Sequence, residues 1–293
     1  MSWVLGSLAL CMVAAEPVVA NEPAPDAWAN VTGTQWQAVS VNFNVRSQHP
    51  AHDARQVALH CERWRAKLQK YWTAAAQPSW ANKCEVVVHA NSTSYLAVVG
   101  QGGRQTFGSS LVRFGPNKEV ARRLIDCRGD HVHGLAAVPH EMTHVVLADL
   151  LDGRQPPRWA DEGMAILADS HEKQLLHERD LTQGLASRQA FRVTELMTID
   201  AYPQASRMAA FYGQSASVTA CLAKRDDPAR FVEFLRRSLD EGYDKALRDV
   251  YHLQNVAELE TVWHEQRIAW RSGFHGVRLA IDDTAAGATQ RAE

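Results

Sequence analysis

The chain has 293 residues, 46% of them hydrophobic, and a formal net charge of -2. This is enough apolar material for one large or two small packed domains. Its scattered Lys and Arg make no basic field for nucleic acid, and no fixed-period repeat is present.

In chain order, the first segment reads as a targeting signal. "WVLGSLALCMVAA" is an apolar run too short to cross a bilayer as a helix, and it leads through small residues into the Pro-rich "NEPAPDAW". That order is the pattern of a secretory signal peptide over residues 1–20, cut after Ala20 or Ala15, although no Lys or Arg precedes Arg46. Leu10 is a poor fit to the small residue that a lipoprotein signal at Cys11 requires. The expectation is an exported protein, periplasmic or extracellular, with no membrane span. Beyond residue 20 the cysteines are Cys61, Cys84, Cys127 and Cys221, an even set that permits two disulfides. Cys61–Cys84 is the favoured pair, since each lies at the end of a predicted element; buried free thiols are the alternative. No Cys-x-x-Cys occurs, which argues against cysteine-ligated structural zinc.

Residues 21–33, rich in Pro, Ala and Asn, read as a linker. "WQAVSVNFNV" alternates apolar and polar residues, the period of a half-buried strand. "HDARQVALHCERWRAKLQKYW" has helical spacing, with Asp53 as its N-cap. "CEVVVHA" is a β-branched strand and "SYLAVVG" a short helix. "QGGRQTFGSSLVRFG" begins as a glycine loop, becomes a strand, and turns through "PNK" into "EVARRLIDCRG", a hairpin signal. Residues 34–135 are thus expected to form a small twisted sheet with helices packed on it.

The character then changes. "HGLAAVPHEMTHVVLADLL" is a helix ended by "DGRQPP", and "PRWADEGMAILADS" is a second, with Pro157 before its start. Further helices are expected at about 172–187, 205–223, 228–239, 243–251 and 256–271, with Asp226 or Asp227 capping the one that begins at Pro228. The fold class is α+β: a sheet subdomain, a helical subdomain over residues 136–275, and a polar tail over 276–293.

The chemistry lies in "HEMTH". Four positions apart on a helix, His140 and His144 share a face and can offer imidazole nitrogens to one ion. Glu141 points about a hundred degrees away, where it can act as base toward a water on that ion. Chance produces such a motif in on the order of a few per hundred chains of this length, so a second feature has to carry weight. "HEKQLLHE" at His171 and "HEQRI" at His264 lack the spacing and read as solvated helical faces. The second feature is "RWADEGMA": a helix, a turn and a returning helix bring Glu162 beside the histidines as the third ligand of an open site. Trp159, Met164 and Ala165 turn Glu162 inward, leaving Asp161 as the surface carboxylate favoured by the helix dipole. Asp149 and Asp169 are candidate partners for the other ring nitrogens by position, each with a surface reading beside it. His131 and His133 of "GDHVHG" are placed in the loop entering the site.

"HEMTH", followed eighteen positions later by the glutamate of "WADEGMA", resembles the gluzincin metallopeptidases, in particular the peptidase MA-like family. The resemblance runs over roughly residues 85–270 and implies a zincin-like fold with the active site on the motif helix. It further implies one zinc per chain held by His140, His144 and Glu162, with Glu141 as the catalytic base. "AFYGQSASVTACL" is similar to the segment that carries an oxyanion-stabilising tyrosine in aminopeptidase-like members, which places Tyr212 in that role. "LETVWHEQ" looks like the helical end of these domains. The exopeptidases carry an acidic motif on the edge strand, whereas "QTFGSSLVRF" has no carboxylate; Gly108, Ser109 and Ser110 still offer backbone groups to an extended peptide. The expectation is a secreted zinc peptidase acting on a peptide or protein, endopeptidase rather than aminopeptidase. The alternatives are an inactive binding protein on the same fold and a zinc hydrolase of a non-peptide amide.

Overall fold

The computed structural model describes residues 30–131 and 133–272. The signal peptide expected over 1–20, most of the linker and the tail over 276–293 lie outside the described residues. Among the described residues the architecture is mixed α and β, with one small six-stranded mixed sheet. Its strands are β1 (Thr32–Gly33), β2 (Gln37–Val39), β3 (Phe43–Ser47), β4 (Cys84–His89), β5 (Gly108–Phe114) and β6 (Val120–Arg128), in the spatial order β1-β2-β3-β4-β6-β5.

Residues 36–45, expected as a single strand, instead fold back on themselves: β2 and β3 pair antiparallel, with Ala38 opposite Val45. Ser40 closes the turn locally, its N–H donating to the Phe43 carbonyl at 2.9 Å and its hydroxyl accepting from the Phe43 N–H at 3.2 Å, and a second anchor lies far away in sequence. The buried Glu62 carboxylate accepts hydrogen bonds at 2.7 Å from both the backbone N–H and the side-chain amide of Asn42. That pair pins the reversal, and no local alternation signals it.

The long helix α1 (Ala54–Thr73) crosses from β3 to β4, which run parallel and therefore need such a connection. Its Asp53 cap accepts from the Arg55 N–H, as the sequence implies. It buries Val57, Cys61, Leu68 and Trp72, four or seven residues apart, against the sheet and the helices packed beside it. The short helix α2 (Ser92–Val99) follows β4, and a 3-10 turn (Gln101–Gln105) leads into β5. β5 and β6 form the expected hairpin, which leaves β5 at the edge of the sheet.

The helices that follow are α3 (Val138–Leu150), α4 (Arg158–Leu167), α5 (His171–Ala186), α6 (Val193–Met197), α7 (Ala205–Ala223), α8 (Pro228–Glu241), α9 (Tyr243–Tyr251) and α10 (Val256–Ser272). Only α6 is unanticipated; its five residues are too few for a period, and burial of Val193, Leu196 and Met197 holds it. α4 and α5 both pack on α7. A Cβ at Gly163 would stand 2.1 Å from Thr219 Oγ1 and 2.6 Å from the Ser215 carbonyl oxygen, so glycine is what lets α4 lie so close. One buried cluster joins Phe43, Val86 and Ile125 of the sheet to Trp72, Met142, Trp159, Phe211 and Phe234 of the helices.

The Cys61–Cys84 disulfide does not form. Cys61, Cys84, Cys127 and Cys221 are all free and buried, packed as small apolar side chains. Burial pushes all four thiols up from their ordinary pKa, Cys221 to about 12.

Candidate metal centre

α3 carries the motif. A 3-10 turn (Leu135–Ala137) and Pro139 in its first turn start the helix, and its apolar face buries Val138, Met142, Val145 and Val146. The opposite stripe brings the rings of His140 and His144 to a centroid distance of 5.0 Å. α4 returns after "DGRQPP", and its buried Glu162 (5% exposed) places Oε2 3.8 Å from His140 Nε2. One ligand atom from each of His140, His144 and Glu162 lies within 4.8 Å of the others, so this partly to fully buried group could hold a metal ion.

The outer nitrogens of both rings are engaged. His140 Nδ1 is 3.1 Å from Asp169 Oδ2, and His144 Nδ1 is 2.6 Å from Asp161 Oδ1. Each carboxylate fixes its ring with the Nε2 side turned inward. Burial by itself would depress both imidazoles. Carboxylates more than reverse this: Asp169, with Glu141, at His140, which is raised, and Asp161, with Glu162 and Glu141, at His144, which is pushed up to about 10. Asp169 is held low against the effect of its own burial by His140 and by Lys173, whose ammonium lies 3.0 Å away. The centre is therefore built to hold positive charge, as protons or as a metal cation.

Asp169 is thus the partner that its position suggested, but Asp149 is not. It binds the Arg123 guanidinium and the Trp80 indole N–H, away from the histidines. Asp161, read from the sequence as a surface carboxylate, is the His144 partner. The signal for it was available: an imidazole that is to hold a metal needs an acceptor for its second nitrogen, and Asp161 directly precedes Glu162.

Glu141 lines the same cleft as His140, His144 and Glu162 and reaches β5. The Ser110 hydroxyl donates to its Oε2 at 2.8 Å. Gly108 makes the approach possible, because a Cβ there would meet Glu141 Cγ at 2.7 Å and Ala137 Cβ at 2.9 Å. Sequence reasoning gave Ser110 only a backbone role. Tyr212 on α7 lines the same cleft; burial, with the Glu162 charge, pushes its phenol up to about 12. Tyr202 was missed altogether: its hydroxyl donates to Glu162 Oε1. It sits in the irregular segment between α6 and α7, where no periodicity marks it.

The cleft has a volume of about 810 Å³. It is lined by β5 from Gly108 to Val112, by His140, Glu141, His144 and Glu162, and by Lys173, His177, Met208 and Tyr212 of α5 and α7. His131 stacks at 4.3 Å on Phe107, which also lines the cleft, and His133 leans on the same ring. His171 begins α5 and His264 lies on α10, both exposed and apart from the centre. The chain matches no protein-family model and no curated protein.

Proposed function

We propose that the protein is an exported zinc peptidase of the gluzincin, peptidase MA-like kind, with a zincin-like arrangement of edge strand and motif helix, that cleaves peptide bonds within a peptide or protein chain. The observation that carries this reading is the convergence of His140, His144 and Glu162, both imidazoles tied to carboxylates, beside a separate glutamate that does not share the ligand position. A structural site needs no such fourth group.

The donor set fits zinc. Four-coordinate zinc with donors at about 2.0–2.2 Å separates them by roughly 3.4 Å, and His140 Nε2 stands 3.8 Å from Glu162 Oε2. Three protein ligands leave one position open, the hallmark of a catalytic rather than a structural site. Zinc held there supplies Lewis acidity, polarising a carbonyl and making a water more acidic. Glu141, oriented by Ser110, accepts the proton of the attacking water and returns it to the leaving amine. Tyr212, a phenol already protonated at neutral pH and pushed further up by burial, donates to the carbonyl oxygen as charge develops on it. β5 offers its free edge to an extended backbone, and its residues Gly108–Phe114 include no carboxylate to bind a free amino terminus, which supports internal cleavage. Export rests on the residue 1–20 pattern.

The test is elemental mass spectrometry on protein purified without added metal, paired with peptide-library cleavage. About one zinc per chain, lost in Glu162→Ala, together with cleavage abolished in a zinc-replete Glu141→Gln, is the expected result. Absence of zinc after reconstitution, or activity that survives Glu141→Gln, refutes the reading.

A further inference from the structure

Tyr202 is a position that neither the motif nor its spacing picks out. It lies in a segment without regular structure between α6 and α7 and is 47% exposed, yet its ring is held on several sides. The Arg158 guanidinium lies 4.2 Å over the ring, and Arg158 Nε donates to the Asp200 carbonyl at 3.0 Å. Phe211 meets the ring edge-on at 6.2 Å, and Tyr212 stands beside it at 6.3 Å. Arg158 is one turn before Glu162 on α4, so a single helix carries both the ligand and the clamp that sets Tyr202 above it. The hydroxyl, so placed, donates to Glu162 Oε1, while Oε2 is the oxygen turned toward His140.

We infer that Tyr202 is a positioning residue for the metal ligand Glu162: it ties up one carboxylate oxygen so that the other alone is presented to the ion. The inference rests on the zinc reading above and adds a role to a residue that reading does not use. A glutamate reaching into an open cleft has three side-chain torsions to fix, and an ion has to order them on binding unless they are already ordered. The carboxylate–tyrosine hydrogen bond does this beforehand, as Asp169 and Asp161 do for the two rings. It also selects one-oxygen ligation, which keeps the fourth position free for water and substrate. Removing a partner of this kind weakens metal binding by about 10–100-fold.

The experiment is zinc affinity, by competition with a chromogenic chelator, for metal-stripped wild type, Tyr202→Phe, Glu162→Gln and the double variant. Phenylalanine keeps the ring contacts with Arg158 and Phe211 and loses only the hydroxyl. The expected result is about 10–100-fold weaker zinc binding in Tyr202→Phe, with no further weakening when Tyr202→Phe is added to Glu162→Gln. Affinity within twofold of wild type overturns the inference, as does an equal loss in the Glu162→Gln background, which would mean a general structural effect. Wild type that binds no zinc removes the peptidase reading and this one with it. Tight wild-type binding with a silent Tyr202→Phe removes this one alone.

Discussion

Asp161→Asn in the metal-free protein tests whether the centre is built around positive charge. His144 is pushed from 6.5 up to about 10, with Asp161 the strongest of the carboxylates opposing the depression from burial. A cation whose pKa is raised on folding contributes stability that is fully present below the unfolded value near 6.5 and is lost as the pH climbs through about 10. Each unit is worth about 1.4 kcal/mol, so the whole shift corresponds to roughly 5 kcal/mol. Glu162 and Glu141 supply part of it and remain in the variant, which leaves on the order of 3 kcal/mol for Asp161, within the range for breaking a buried ion pair. The His144 and Asp161 side chains are each only 17% exposed, so solvent screening takes little away. Lys224 works in the opposite sense over part of the same window, because burial lowers it to about 8. The informative quantity is therefore the difference between variant and wild type, not the slope of either. Urea denaturation of chelator-treated protein from about pH 6 to about pH 10 should show Asp161→Asn less stable by about 3 kcal/mol at the acid end, with the two curves meeting near the alkaline end. A difference independent of pH would show that His144 is uncharged in the folded metal-free protein and that the centre is not built around positive charge.

Zinc added to the metal-free protein at pH 8 should displace at least one proton, since His144 titrates only at about 10 and a ligand imidazole must be neutral. Calorimetry in buffers of different ionisation enthalpy measures this, and a binding heat independent of buffer would contradict it. Gly108→Ala forces a Cβ within 2.7 Å of Glu141 Cγ. It should lower stability by about 1–3 kcal/mol and depress hydrolysis while leaving zinc content intact, as read by thermal denaturation, peptide cleavage and metal analysis. Protein lacking residues 1–20 should yield thiols at Cys61, Cys84, Cys127 and Cys221 on denaturation without reductant, four in all; two or none would mean that disulfides had formed.

What could be read from the chain, and what could not, divides by the range of the interaction. The His140–His144 face with Glu141 beside it, the Asp53 cap and the β5–β6 hairpin depend on residues within a few positions of one another, and local pattern exposes them. The return of Glu162 was legible because a short Gly/Pro turn leaves an antiparallel helix few other places to go. By contrast, the break between β2 and β3 is anchored in part by Glu62, twenty residues on from Asn42. Tyr202 reaches Glu162 across forty residues and sits in a segment with no period. Asp161 is a different failure. A carboxylate in the first turn of a helix has a sufficient local explanation in the dipole, and accepting that explanation hid the demand of His144 for a partner. The same error ran the other way at Asp149, where position suggested a metal-site role and Arg123 and Trp80 already satisfied the carboxylate. In a candidate metal centre of this type the groups that could ligate announce themselves by spacing, but those that orient them answer to hydrogen-bond demand. The productive question is therefore where each ligand's second polar atom goes. Asked of His140 it leads to Asp169, asked of His144 to Asp161, and asked of Glu162 to Tyr202.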